Sequence, residues 1–280
     1  MNAPDRPAPG PLSVSEPWDL VAEGYASEGA AVMLPFTRHA VELARPSPTA
    51  RVLDVATGTG MLALELAPRV ARVDAVDFAP QMLEQLERQR RALGLGNVHT
   101  QVADGQALPF ADGLFDAAFS MFGLMFFPDR DKGFAELRRV LAPGGVAVVS
   151  SWAPIERSPL MTLMFGALRA ADPSRVVPQV NLLSLENPDV FERELARAGF
   201  RDISVRPYTH EVPVESAEQF WDVTTRASAP LVLLKKRLGP AEWKRQTEVA
   251  LAYLREHLSG PTSLGPALLG TTAWLGFGRR

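Results

Sequence analysis

The stretch Arg51 to Gly60, RVLDVATGTG, constrains this chain more than any other. Val52, Leu53 and Val55 make a short apolar strand, Asp54 sits inside its carboxyl end, and a turn of Ala56, Thr57, Gly58, Thr59 and Gly60 follows. Glycines at 58 and 60 let the backbone take positive φ and approach a ligand with no Cβ in the way. The helix that follows aims free N–H groups at the same place. Strand, small-residue turn and helix predict an α/β domain that holds a nucleotide-sized ligand, and the turn alone leaves open which one.

The rest of the chain alternates as a parallel sheet demands. Strands are expected at 51–56, 71–77, 97–102, 114–120 and 146–152, and helices at about 60–69, 79–93 and 131–141 lie between them. Such alternation gives βαβ units with right-handed crossovers and helices on both faces. Upstream, Leu20, Val21, Tyr25, Val32, Met33, Phe36, Ala40 and Leu43 recur at helical spacing, so one or two helices cover residues 16–45. Residues 1–15, rich in Pro, Ala and Ser, read as a disordered arm. After Trp152 the rhythm changes. Two insertions, 154–186 and 214–262, read as a helical lid, separated by a helix at about 188–198 and a strand at 200–207. TTAWLGFGRR closes the chain as a last strand.

The chain has 280 residues, enough for one large α/β domain with a lid. Its 29 basic and 32 acidic side chains argue against a protein built to hold nucleic acid by counterion release. There is no cysteine, hence no disulfide, thiolate metal site or thiol nucleophile. No apolar run approaches the ~20 residues of a membrane span. The expectation is a cytoplasmic protein with no nucleic-acid partner and no membrane span.

Three further blocks narrow the ligand. VDFAPQML ends a strand in Asp77 and opens a proline-started helix carrying Met82; ADGQALPF is followed by FDAAFS; LRRVLAPGGVAVVS follows in turn. In this order, with LDVATGTG, they resemble the class I S-adenosylmethionine-dependent methyltransferases, in particular the small-molecule group that includes the ubiquinone and menaquinone enzymes. The resemblance covers the central ~100 residues. It implies a seven-stranded, mostly parallel, doubly wound Rossmann-like sheet of order 3-2-1-4-5-7-6. It implies S-adenosylmethionine as cofactor, with Asp77 on the ribose hydroxyls and Asp54 at the ammonium end. Thr57, Gly58, Thr59 and Gly60 would line the methionine portion. Asp104, Gly105 and Gln106 would meet the adenine edge, with Phe78 and Met82 over the ring. Ser120 and Met121 would face the methyl-donating end, and Tyr25 the carboxylate end. One departure stands out: Ala56 occupies the place of the family's usual first glycine.

A nicotinamide dehydrogenase is the rival within this fold, because Gly58-Thr-Gly60-Met-Leu-Ala63 satisfies G-x-G-x-x-G/A and Asp77 stands near the ribose-acid position. Against it stand Asp54, the Asp104-Gly105 pair and the absence of a Tyr-x-x-x-Lys pair after strand five. A cofactor-binding but non-methylating member of the fold is the third reading. Methyl transfer from a sulfonium needs alignment and exclusion of water more than acid–base chemistry. A base is required only for an acceptor that arrives protonated. His39 and His210 are the candidates, with His99 and His257 peripheral. The run Ser120-Met-Phe122-Gly-Leu-Met125-Phe126-Phe127, with Phe220, Trp221 and Trp243 in the lid, predicts a small, largely apolar acceptor and no metal.

Overall fold

The computed structural model describes residues 10–174, 185–258 and 266–280. Two helices come first, α1 (Glu16–Glu28) and α2 (Ala30–Ala44). The alternating region follows as β1 (Arg51–Val55), α3 (Met61–Leu66), β2 (Arg72–Asp77), α4 (Pro80–Ala92), β3 (Val98–Val102), β4 (Phe115–Met121), α5 (Arg130–Val140) and β5 (Leu141–Trp152). Then come α6 (Pro159–Ala171), α7 (Pro188–Arg197), β6 (Arg201–Val214), α8 (Ala217–Ala227), α9 (Ala229–Leu258) and β7 (Ala267–Arg279).

The seven strands form one sheet in the order β3-β2-β1-β4-β5-β7-β6, the order expected from the resemblance. The β2–β3, β1–β2, β1–β4 and β4–β5 pairings are parallel, and β7 runs antiparallel to both β5 and β6. Central strands buried on both faces need near-continuous apolar runs, which Val52, Leu53 and Val55 supply in β1 and Phe115, Ala117, Ala118 and Phe119 in β4. The order in which successive strands are added to the sheet reverses between β1 and β4, which are themselves parallel. In open α/β sheets that reversal opens a crevice above the carboxyl ends of the strands. At the opposite end of β2, buried Asp74 takes hydrogen bonds from Arg51 Nε (2.8 Å) and Arg72 (2.7 and 2.9 Å), closing the bottom of the sheet.

Three sequence expectations are corrected. β6 continues to Val214 and β7 begins at Ala267, so both are longer than expected. Pro207 and Pro213 sit within β6 because it is an edge strand, where a missing N–H costs no ladder on the outer side. Of the arm expected over 1–15, residues 1–9 lie outside the described residues. The remainder is packed: Leu12 is 7% exposed and Ser13 Oγ donates to the Phe126 carbonyl (2.9 Å). The insertions expected to form a lid build a body with its own apolar centre, in which Leu160, Val212, Phe220, Trp221, Leu231 and Leu254 cluster apart from the core around the sheet. Trp221 stacks on Trp243 at 5.9 Å inside it.

Candidate functional site

The sheet's crevice is a cleft of about 1080 Å³, open to solvent, floored by the carboxyl ends of β1, β2 and β4 and roofed by α1 and α2. Asp54, 1% exposed, ends β1 and is fixed from above: Thr57 Oγ1 donates to it at 2.5 Å, and the Ala63 N–H in the first turn of α3 donates as well. Burial pushes its carboxyl up to about 7 despite those two hydrogen bonds. Asp77, 5% exposed, accepts from Gly58 N (2.8 Å) with one oxygen and from Ala79 N (2.9 Å) with the other. Burial pushes it up to about 6, and the N–H groups of Ala79, Gly58 and Phe78 hold it from rising further. With three N–H donors on about four acceptor sites, the carboxyl keeps one open to a ligand hydroxyl.

At the tip of β3, Gln106 binds Asp104 through its amide (3.0 Å) and accepts from Asp129 N (2.9 Å), which ties this loop to the start of α5. Phe127 lies directly against Gly105, and a Cβ there would strike its ring. Between β4 and α5 the turn after Met121 is held from below by two buried serines. Phe122 N donates to Ser150 Oγ (2.9 Å) and Leu124 N to Ser120 Oγ (3.1 Å).

The roof is sewn on by contacts at its edges. Trp18 Nε1 donates to the Leu12 carbonyl (2.9 Å) and its ring meets Phe126 edge-on at 5.1 Å. Asp19 accepts from Gln81 N in the first turn of α4 (2.9 Å). Tyr25 hangs from α1 over Gly58. Burial, and after it the charge of Asp77, pushes its hydroxyl up to about 12, so it remains a donor at ordinary pH. Met33 and Thr37 face the cleft from α2.

The charge balance is the decisive property. Asp54, Asp77 and Asp104 line the cleft, and among the described residues no lysine, arginine or histidine does. A dinucleotide pyrophosphate would meet three carboxylates and no cation; a ligand carrying an ammonium and a sulfonium would meet complementary charge.

Comparison with known proteins agrees. The family described as "Methyltransferase domain" matches residues 52–145. A demethylmenaquinone methyltransferase of Thermus thermophilus is 49% identical over 123 residues, 43% of this chain and 56% of that protein. A ubiquinone/menaquinone biosynthesis C-methyltransferase of Geobacter sulfurreducens is 35% identical over 193 residues, 61% of this chain and 73% of the relative. The chain belongs to the class I S-adenosylmethionine-dependent methyltransferases. It spans about half the length of the first curated relatives it matches. The likeness in fold reaches beyond the matched domain: the crystal structure of the [4+2]-cyclase SpnF superposes with a TM-score of 0.57 at 21% identity, covering 98% of this chain and 97% of that one.

Of the site residues expected from sequence, the structure gathers Tyr25, Asp54, Thr57, Gly58, Asp77, Phe78, Met82, Asp104, Gly105, Gln106 and Met121 around this methyltransferase-family cleft. It turns three away. Gly60, at φ 86°, packs under Leu86, whose side chain fills the space a Cβ would need. Thr59 is buried beside it, outside the cleft lining. Ser120 is fully buried beneath the turn it supports.

Neither histidine lines the cleft. His39 stacks on Tyr208 (4.3 Å) and meets Glu42 (3.4 Å); His210 Nε2 lies 2.8 Å from the Val32 carbonyl. Both belong to the packing of α2 on β6. The lid's Phe220, Trp221 and Trp243 also stand apart from the cleft, because they close their own core. Residues that sequence reasoning missed are mostly on the roof: Leu12, Ser13, Trp18, Met33 and Thr37. Leu12 and Ser13 fell in the expected arm, and of the others only Met33 belonged to the recognised helical spacing; which face turns to the cleft depends on how α1 and α2 dock.

Proposed function

We propose that this chain binds S-adenosylmethionine in the cleft and methylates a small, largely apolar acceptor. The cofactor, when bound, supplies an electrophilic methyl on a sulfonium. Asp77 would accept from the ribose hydroxyls, Asp54 would take the ammonium, and the Asp104–Gln106 loop the adenine edge, with Phe78 and Met82 beside the ring. The Tyr25 hydroxyl, a donor without a hydrogen-bond partner among the described residues, would meet the carboxylate. The observation that carries this reading is the trio of carboxylates with no opposing cation along the cleft.

The roof and the turn after β4 leave an uncharged half lined by Trp18, Met33, Met121, Phe122 and Phe126. That half supports an aromatic acceptor, as do relatives named for quinone biosynthesis. With neither histidine at the cleft, its groups can align an acceptor and exclude water, so the reading favours a nucleophile that needs little help in losing a proton, such as an electron-rich ring carbon or an ionised oxygen. Thermal-shift titration with S-adenosylhomocysteine against NAD and NADP tests the cofactor. Stabilisation by either dinucleotide alone would sink the reading. Mass spectrometry of a metabolite pool incubated with enzyme and cofactor, seeking products heavier by one methylene, tests the acceptor.

A further inference from the structure

Nearly every polar side chain lining the cleft is already engaged. Asp54 is held by Thr57 and Ala63, Asp77 by Gly58 and Ala79, Asp104 by Gln106, Gln106 by Asp129, and Ser13 by the Phe126 carbonyl. Two hydroxyls make no hydrogen bond among the described residues: Tyr25, already placed over the β1–β2 side, and Thr37. Thr37 is 2% exposed and lines the cleft. A threonine inside a helix commonly satisfies its hydroxyl on the carbonyl one turn back, as Thr224 does on Phe220 O (2.6 Å). Thr37 makes no such bond. Its oxygen is not sealed off, since among the described residues only Thr271 Oγ1 is fully buried without a partner; the Thr37 hydroxyl is open to the cleft.

Its place in the fold says what it waits for. The three carboxylates lie at the tips of β1, β2 and β3, and Tyr25 answers Asp77 there. Thr37 follows Phe36, whose ring packs edge-on against Phe122 (5.4 Å) and Trp152 (5.9 Å), the residues just past β4 and at the end of β5. Thr37 itself stands one turn beyond Met33, and both line the cleft from the same face of α2, which puts the hydroxyl beside the uncharged half. An apolar, aromatic-walled space with one free hydroxyl fits a flat ring bearing one hydrogen-bonding oxygen.

We infer that Thr37 is a specificity-determining residue: its hydroxyl hydrogen-bonds a ring oxygen of the acceptor and so fixes which edge of the ring faces the methyl donor. This rests on the methyltransferase reading above and adds the polar feature the acceptor must carry.

The test is equilibrium dialysis of 1-naphthol and of naphthalene with the full chain saturated with S-adenosylhomocysteine, for the wild type, Thr37→Val and Thr37→Ser. One net hydrogen bond predicts that the wild type prefers 1-naphthol by about fivefold. Thr37→Val should reduce that preference below about twofold and Thr37→Ser should keep it. Affinity for S-adenosylhomocysteine should stay unchanged in both. Thr37→Val should melt no lower than the wild type, since it removes an unpaired hydroxyl at constant shape. An unchanged naphthol preference in Thr37→Val overturns the inference alone. So does a parallel loss of S-adenosylhomocysteine affinity, which would move Thr37 to the cofactor, and so does a lower melting temperature, which would reveal a structural partner. If neither ring binds the wild type, the aromatic acceptor itself is wrong and the inference falls with it.

Discussion

Ala56 and Phe122, the first residues beyond the two central strands, share one unusual backbone conformation: φ is 55° at Ala56 and 57° at Phe122. Both line the cleft where the strand order switches sides. Left-handed backbone costs a residue with a Cβ about 1–2 kcal/mol, and such strain collects at functional sites. Ala56 thus keeps the conformation that the family's usual glycine would adopt there, at the cost of a crowded methyl. Ala56→Gly should raise stability by about 1 kcal/mol, the relieved strain less the added freedom of the unfolded chain. Urea denaturation measures it, and a loss of stability would show that the methyl's packing outweighs the strain.

That methyl also explains Gly123. A Cβ on Gly123 would collide with the Ala56 side chain, and its other near neighbours, Ser120 Oγ and Ala56 O, lie at 3.3 and 3.5 Å. Gly123→Ala should therefore destabilise by about 1–3 kcal/mol. In an Ala56→Gly background most of that loss should vanish. A double-mutant cycle with no coupling would refute the pairing.

The alternation of elements was legible in the sequence because it depends on local pattern; the order of the strands and most of the cleft floor came from the resemblance to the methyltransferases. Asp54, Asp77 and Asp104 stand at strand ends that hydrophobic runs define, so their convergence followed from topology alone. What was not legible depends on packing between distant segments. Gly60 looked like a ligand contact, yet its missing Cβ makes room for Leu86 of α4. Phe220, Trp221 and Trp243 looked like a substrate lid, yet they find one another. Ser120 and Ser150 gave no signal as the pair that props the turn at Phe122.

Asp77→Ala should weaken S-adenosylhomocysteine binding by about 1–3 kcal/mol, the loss of hydrogen bonds to a charged acceptor. Calorimetry checks it, and unchanged affinity would remove the ribose from Asp77.

Stability without ligand should fall as pH rises from about 4 to 7. Asp54 and Asp77 have folded values of about 7 and about 6, above the ordinary carboxylate value of 3.8. In that window the folded state holds protons that the unfolded chain has released, so each contributes stability that is complete below the unfolded value and lost as pH climbs through the folded one. Asp54→Asn should flatten the profile between about pH 4 and 7, the window between the unfolded and folded values of Asp54. A mutant curve parallel to the wild type would remove Asp54 from the effect.

His39→Gln should leave the methyl-transfer rate within about twofold at every pH, since the ring packs on Tyr208 outside the cleft. A rate that collapsed with the variant still folded would restore His39 as a base.

The lid's separate apolar centre has a consequence for cooperativity. α6, α8 and α9 bury their large side chains mainly against one another and the ends of β6 and β7, while the central core closes around the sheet. Two such nuclei can open at different free energies. Amide exchange should reveal α6, α8 and α9 releasing their protons together, through a subglobal opening that leaves the strands protected, so that this chain melts as two units rather than one.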